Sequence, residues 1–235
     1  MAKHTIKIAI DGPAGAGKTT IAKLLAEYLD YLYVDTGAMY RAVALKALAT
    51  DVDPTSATAI EKMLENTDIT VVHEMGSQRV ILDGMDVSDQ IRAVYVATAA
   101  SDVGVHACVR NTLVEKQRAL AADHNVVMDG RDIGTYVLPH ADIKIFLTAT
   151  TDDRAMRRYL ELQAKGSTTT FEQVMKDLKY RDRNDSSRAI APLMIASDAL
   201  IVDTSDNTLE QSIIVLKEII QEKLYDIIQH RQALD

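Results

Sequence analysis

Gly12-Pro13-Ala14-Gly15-Ala16-Gly17-Lys18-Thr19 is the stretch that decides how this chain reads. It satisfies G-x-x-x-x-G-K-[ST] in full, and it lies between a short apolar run and a helix-like segment, the context this motif requires. Upstream, Ile6-Lys7-Ile8-Ala9-Ile10 predicts a buried strand. Downstream, Ile21, Leu24, Leu25 and Tyr28 recur at helical spacing between Thr19 and Leu29. The glycines let the backbone curl so that its N–H groups point inward, and the helix start adds partial positive charge, so the loop predicts a phosphate cradle. Lys18 is expected to reach the β- and γ-phosphates, and the Thr19 hydroxyl, followed by Thr20, to hold Mg²⁺. The chain is therefore expected to bind a nucleoside triphosphate, with Mg²⁺ arriving alongside it.

Outward from this loop, strand and helix patterns alternate. Leu32-Tyr33-Val34 predicts a strand ending at Asp35, and a helix follows from about Ala38 to Leu48. A long helix is expected over roughly Ser101 to Ala121. Strands then follow at Val126-Val127-Met128, ending at Asp129, at Ile143 to Leu147, and at Leu200-Ile201-Val202. Thr208 with Gln211 predicts a capping box for a C-terminal helix whose apolar face is Leu209, Ile213, Leu216, Ile220 and Leu224. Short apolar strands separated by helices imply a parallel sheet covered on both faces, an α/β fold of three layers. Ligands then belong beyond the carboxyl ends of the strands, where Asp35 and Asp129 fall. Two stretches break the alternation. Residues 51–95 predict a small α+β insertion, with a helix at Ile60 to Leu64 and strands at Ile69 to Val72 and Val80 to Leu82. Residues 151–189 are highly charged, with Gly166 and three threonines between two helix patterns, the composition of a mobile helical lid.

The 235 residues are enough for one sizeable core, and the whole chain is read as a single domain. A net charge of -8 argues against a nucleic-acid or anionic-membrane surface. The single cysteine, Cys108, excludes an internal disulfide and fits a reducing, cytoplasmic setting. His4, His73, His106, His124, His140 and His230 share no zinc-ligand spacing.

The loop alone says only that a triphosphate binds; arginines say where a second anion goes. Arg41 closes Asp35-Thr36-Gly37-Ala38-Met39-Tyr40-Arg41, and Arg131 lies in Asp129-Gly130-Arg131-Asp132-Ile133-Gly134-Thr135, each group following a strand. The lid adds Arg154, Arg157, Arg158, Arg181, Arg183 and Arg188. A planar guanidinium grips phosphate oxygens in pairs and keeps its charge. Solvated ion pairing is the plainer reading of Arg181-Asp182-Arg183-Asn184-Asp185. Asp129, ending an apolar strand, is the preferred carboxylate to orient Mg²⁺-bound water; a helix or turn cap is the other reading of Asp35 and Asp129. Phosphoryl transfer needs little from a protein beyond alignment and positive charge, so these parts suffice for a small kinase.

These motifs, together with Lys144-Ile145-Phe146-Leu147 and Ala191-Pro192-Leu193, resemble bacterial cytidylate kinases over nearly the whole chain, in order. The resemblance implies a P-loop fold of the nucleoside monophosphate kinase type. It implies ATP-dependent phosphorylation of CMP and dCMP, with Lys18, Arg41, Arg131 and Arg158 central to catalysis. Thr36, Tyr40, Arg41 and Arg131 resemble the residues around the CMP phosphate; Thr36 stands where some members carry Ser, and either hydroxyl can bond a phosphate. Ser101, Arg110, Asp132 and Arg188 resemble those that read the cytosine, and Arg181 and Asp185 those that touch the pentose. Arg154, Arg157 and Arg158 resemble the arginines that close on the ATP phosphates. The partners expected are small nucleotides, acting on a monomer. Other readings are a kinase for another monophosphate or a metabolite, and a non-catalytic nucleotide-binding module.

Overall fold

Ile8, Ala9 and Ile10 are fully buried, as a strand with helices on both faces must be, and they form β1 (Lys7–Asp11). The computed structural model describes residues 5–74 and 76–232; His4 lies outside them. The phosphate loop leads into α1 (Lys18–Leu29), which ends at Asp30 in a left-handed conformation. β2 (Leu32–Asp35) runs straight into α2 (Thr36–Ala49), because the Asp35 carboxylate accepts the Ala38 N–H at 3.0 Å and caps the helix. The stretch after it folds as α3 (Ala57–Leu64) and three antiparallel strands, β3 (Ile69–Glu74), β4 (Ser77–Leu82) and β5 (Met85–Asp86). Asp83-Gly84 joins the last two, both residues at positive φ. That is the turn chemistry of a tight hairpin.

The sequence predicts one helix from Ser101 to Ala121; the structure has two. α4 (Val94–Val103) begins earlier, and α5 (Ala107–Ala122) follows after a break at Gly104 to His106. His106 is extended there and its buried ring bonds the Pro54 carbonyl at 2.8 Å. This long-range contact is invisible to helical periodicity. Beyond the break come β6 (Val126–Asp129), a π-helical turn at Ile133–Val137 and β7 (Ile143–Thr148). A helical hairpin follows, α6 (Thr151–Ala164) and α7 (Phe171–Ser187), the second opened by a Thr170–Gln173 capping box. β8 (Leu200–Asp203) and α8 (Leu209–Gln232) close the chain. The Thr208–Gln211 box forms as predicted, with bonds of 2.8 and 3.2 Å.

The central sheet is parallel throughout, in the order β2-β6-β1-β7-β8. Alternate residues feed opposite faces. Ile8, Ile10 and Val127 pack on α1 and on Leu216 and Ile220 of α8, whereas Ala9, Val126 and Met128 pack on Val114 and Ala121 of α5. The three-layer α/β expectation is met. A third cluster joins α2, α4 and α5 to Ile60, Ile69, Val80 and Leu82, so the 51–95 stretch shares its core with the main body. Among the described residues, no helix is long and apolar enough to cross a membrane.

Candidate active site

β1, β2 and β6 end side by side at Asp11, Asp35 and Asp129, and the loops leaving them meet α4, α6 and α7 around a cleft of about 550 Å³. The phosphate loop forms one wall. Gly12 has φ +148, and a Cβ there would fall 2.0 Å from the Leu147 carbonyl oxygen, so only glycine fits. Pro13, Ala14 and Ala16 are buried within the loop, while Gly15, Gly17, Lys18, Thr19 and Thr20 line the cleft. The Lys18 ammonium is buried and donates to the Pro13 carbonyl at 2.7 Å. Burial, and next the Arg131 charge, push it well below the usual lysine range. A cation so placed gains from an anion.

Asp129 and Asp35 part company here. Asp35 caps α2 and pairs with Arg41 at 2.7 Å and Arg92 at 3.1 Å. The Asp129 carboxylate instead accepts hydroxyl hydrogens from Thr19 at 3.0 Å and Tyr33 at 2.9 Å, and no cation among the described residues pairs with it directly. Burial, then the nearby Asp35 charge, raise it to about 6. A buried carboxylate beside a threonine hydroxyl at a phosphate loop is a hard oxygen donor set short of positive charge, which fits Mg²⁺. Among the described residues no group of three or more His, Cys, Asp or Glu side chains could hold a metal by itself.

Across the cleft, Thr36, Tyr40, Arg41, Ser101, Arg131, Asp132, Arg181, Asp185 and Arg188 all line one surface, although α7 and α2 lie far apart in sequence. Thr36 donates to the Asp129 carbonyl at 2.8 Å, which ties the two strand-end motifs together. Arg110, fully buried behind this wall, pairs with Asp132 and lies over the Tyr40 ring, 5.7 Å from its centroid. Arg188 faces the other Asp132 oxygen at 3.8 Å. Burial raises the Asp132 carboxyl against the pull of Arg110 and Arg188, and burial likewise pushes the Tyr40 hydroxyl up to about 12. Arg131 pairs with Asp185 at 2.7 Å. Burial works to raise Asp185 as well, but Arg131 and Arg188 together hold it below its usual range. Arg181 is pushed down to about 10 by burial and by Arg131. Buried guanidinium nitrogens of Arg41, Arg181 and Arg188 have no hydrogen-bond partner among the described residues. Crowded cations with idle donors mark an anion site.

The lid arginines divide. Arg157 and Arg158 line the cleft, Arg157 donating to Thr204 and Arg158 to Glu161. Arg154 lies elsewhere. It is buried and donates to the Ala149 carbonyl, the Ala14 carbonyl, Asp182 and Thr151, at 3.0, 2.9, 2.7 and 3.1 Å. Those bonds brace the phosphate loop against α6 and α7, so the structure gives Arg154 a different position from the phosphate contact expected of it. Three residues escaped the sequence reading. Arg92 enters the cleft from the end of the insertion, Tyr33 holds Asp129, and the Gln78 amide bonds both the N–H and the carbonyl of Asp35, at 2.8 and 3.1 Å. Arg92 follows no strand-end Asp, so the rule that found Arg41 and Arg131 passes over it.

A family model described as cytidylate kinase matches residues 8–223. The cytidylate kinase of Caldicellulosiruptor saccharolyticus is 50% identical over 216 residues, covering 92% of this chain and 94% of that protein. That of Desulfitobacterium hafniense is 49% identical, covering 89% and 90%. Among solved structures, shikimate kinase from Acinetobacter baumannii covers 94% of this chain and 95% of its own, at 15% identity and a TM-score of 0.44.

Proposed function

The chain belongs to the cytidylate kinase family, and from that premise we propose that it transfers the γ-phosphoryl group of ATP to CMP and dCMP, yielding ADP with CDP or dCDP. The observation that carries the acceptor assignment is the buried Asp132 carboxylate set between Arg110 and Arg188 at the cleft wall. Cytosine offers an amino donor beside N3 and O2 acceptors. The Asp132 carboxylate and the Arg188 guanidinium at the cleft answer that edge, with Arg110 buried behind Asp132 as its support rather than as the base contact expected of it, whereas uracil would turn a carbonyl toward the carboxylate and leave buried groups unpaired.

The residue roles are those the family resemblance implies, and the side chains that line the cleft support them. ATP lies on the phosphate loop, its β- and γ-phosphates reached by Lys18 and flanked by Arg157 and Arg158. The CMP phosphate lies among Thr36, Arg41, Arg92 and Arg131, and Arg181 and Asp185 face the pentose. A CMP phosphate oxygen attacks the γ-phosphorus, the bond from that phosphorus to the bridging oxygen breaks, and ADP leaves with the bond's electrons. The acceptor phosphate is already ionised, so no general base is required. Arg131 lies between the two phosphate positions and offsets the charge that spreads over the transferring group. Thr19 and Asp129 are the residues that would hold Mg²⁺, which supplies further positive charge at the phosphates. Residues 151–189, acting as a lid, exclude water and suppress hydrolysis, and residues 51–95 form the acceptor-side insertion. The free Cys108 suits the cytoplasm.

A coupled ADP-release assay with CMP, dCMP, UMP, AMP and GMP tests the reading. CMP and dCMP are expected to turn over fastest; fastest turnover with AMP or GMP refutes the acceptor assignment.

A further inference from the structure

We propose that Asp11 is a positioning residue for the base-reading loop, its carboxylate accepting the backbone N–H groups of Ile133 and Gly134, each at 2.7 Å, and thereby fixing where Asp132 stands. The proposal rests on Asp132 reading the acceptor base, as argued above. Asp11 is buried and does not line the cleft, so it touches neither nucleotide. Its place is nevertheless strategic. It ends β1 immediately before Gly12, and β1 pairs along its length with β6, from which the base-reading loop departs.

The chain leaves the sheet after Asp129 and turns tightly at Ile133–Val137. The first N–H groups of such a turn have no backbone acceptor and would be orphaned in the interior. A carboxylate supplies two acceptor oxygens where an amide or hydroxyl supplies one, and both Asp11 oxygens are used. The turn then locks the other side of Asp132, whose carbonyl accepts the N–H groups of Tyr136 and Val137 at 2.9 and 3.1 Å. With its carbonyl and the following two N–H groups held, the Asp132 backbone has little freedom, and its side chain is committed to Arg110 and Arg188. Lys144 backs the loop from the other side, anchored to the Pro139 carbonyl at 2.6 Å and to Asp198 at 2.9 Å. A Cβ on Gly134 would lie 3.1 Å from the Lys144 side chain and 3.4 Å from the Asp11 carboxylate, so the fit is close on both sides. Burial raises the Asp11 carboxyl to about 6 even against the two N–H bonds, a cost that a mere space-filling residue would not carry.

Asp11→Asn keeps the shape but turns an NH₂ group toward one of the two N–H donors. In this variant KM for CMP is expected to rise about tenfold or more, and the CMP-over-UMP ratio of kcat/KM to fall by a similar factor, while KM for ATP stays within about threefold. Gly134→Ala displaces the same loop without touching the phosphate loop and should give the same signature; it decides the matter if Asp11→Asn does not fold. Equal rises in KM for ATP and CMP with base discrimination intact, in whichever variant folds, would overturn the proposal. Asp132→Asn serves as the reference. If it leaves the CMP-over-UMP ratio at the wild-type value, the base-reading assignment is what has failed. Amide hydrogen exchange at Ile133 and Gly134 then judges Asp11 separately: exchange about tenfold faster in Asp11→Asn supports the pin, and unchanged exchange rejects it.

Discussion

Arg110→Met tests stability and specificity at one point. Arg110 is wholly buried, so methionine can occupy the space of its alkyl stem while removing the guanidinium. The Asp132 carboxylate, itself 4% exposed, is then left with Arg188 at 3.8 Å as its nearest cation. Breaking a buried pair by removing one partner costs about 3–5 kcal/mol. For a chain of this length each kcal/mol corresponds to about 2–4 °C, so Tm should drop by about 6–20 °C. The sign of the pH dependence is fixed. Asp132 is already raised by burial, and Arg110 is the largest influence holding it down, so its folded pKa climbs further in the variant. A carboxyl whose folded pKa exceeds its unfolded value of about 3.9 destabilises the fold as pH rises through the folded value and does so less in acid. The deficit against wild type should therefore be largest above the folded pKa and shrink as the pH falls toward the unfolded value of about 3.9.

The same variant should show a split in kinetics. Without Arg110 behind it the Asp132 carboxylate loses the partner that orients it toward the base, and one misdirected hydrogen bond costs about 1–3 kcal/mol, or roughly 5- to 150-fold in kcat/KM for CMP, with KM for ATP little changed. Thermal melts across pH and steady-state kinetics with each substrate varied are the assays. A deficit independent of pH, or equal losses for ATP and CMP, would refute the reasoning.

Three further outcomes follow from particular contacts. Arg131→Ala should lower turnover by about 10³–10⁵-fold, the range for an arginine that offsets transferring-phosphoryl charge, while circular dichroism shows a retained fold; near-normal turnover would remove it from the site. Arg154→Met severs the bonds to Ala14, Ala149, Asp182 and Thr151, and because the Asp182 side chain is 23% exposed the loss belongs at the low end of about 3–5 kcal/mol; denaturant melts measure it, and weaker ATP binding by calorimetry should accompany it. Gly12→Ala should fail to form a working phosphate loop, since its Cβ meets a carbonyl at 2.0 Å, whereas Gly84→Ala, with open space around it at φ +83, should cost only about 1–2 kcal/mol; similar melts for the two would contradict the steric account.

Much of the fold was legible because its signals are local. Ile8, Ala9 and Ile10 declare a strand buried on both faces, and Asp35 and Asp129 mark where such strands stop. What stayed hidden depends on contacts between distant segments. Nothing within α4 and α5 announces that His106 will bond Pro54 and break the helix. Nothing in Asp-Val-Ser-Asp-Gln-Ile announces that the following Arg92 reaches Asp35. The lid arginines make the sharpest case. Arg154, Arg157 and Arg158 stand three and four residues apart on one helix, and their side chains are chemically identical, so sequence groups them together. The difference lies in what the rest of the chain offers each one. Carbonyls at Ala14 and Ala149, a hydroxyl at Thr151 and the Asp182 carboxylate engage the donors of Arg154, whereas Arg158 makes a single bond to Glu161 and stands open to the cleft. An arginine is free to grip phosphate only in proportion to the donors its own protein leaves unbonded, and that quantity is set by tertiary contact.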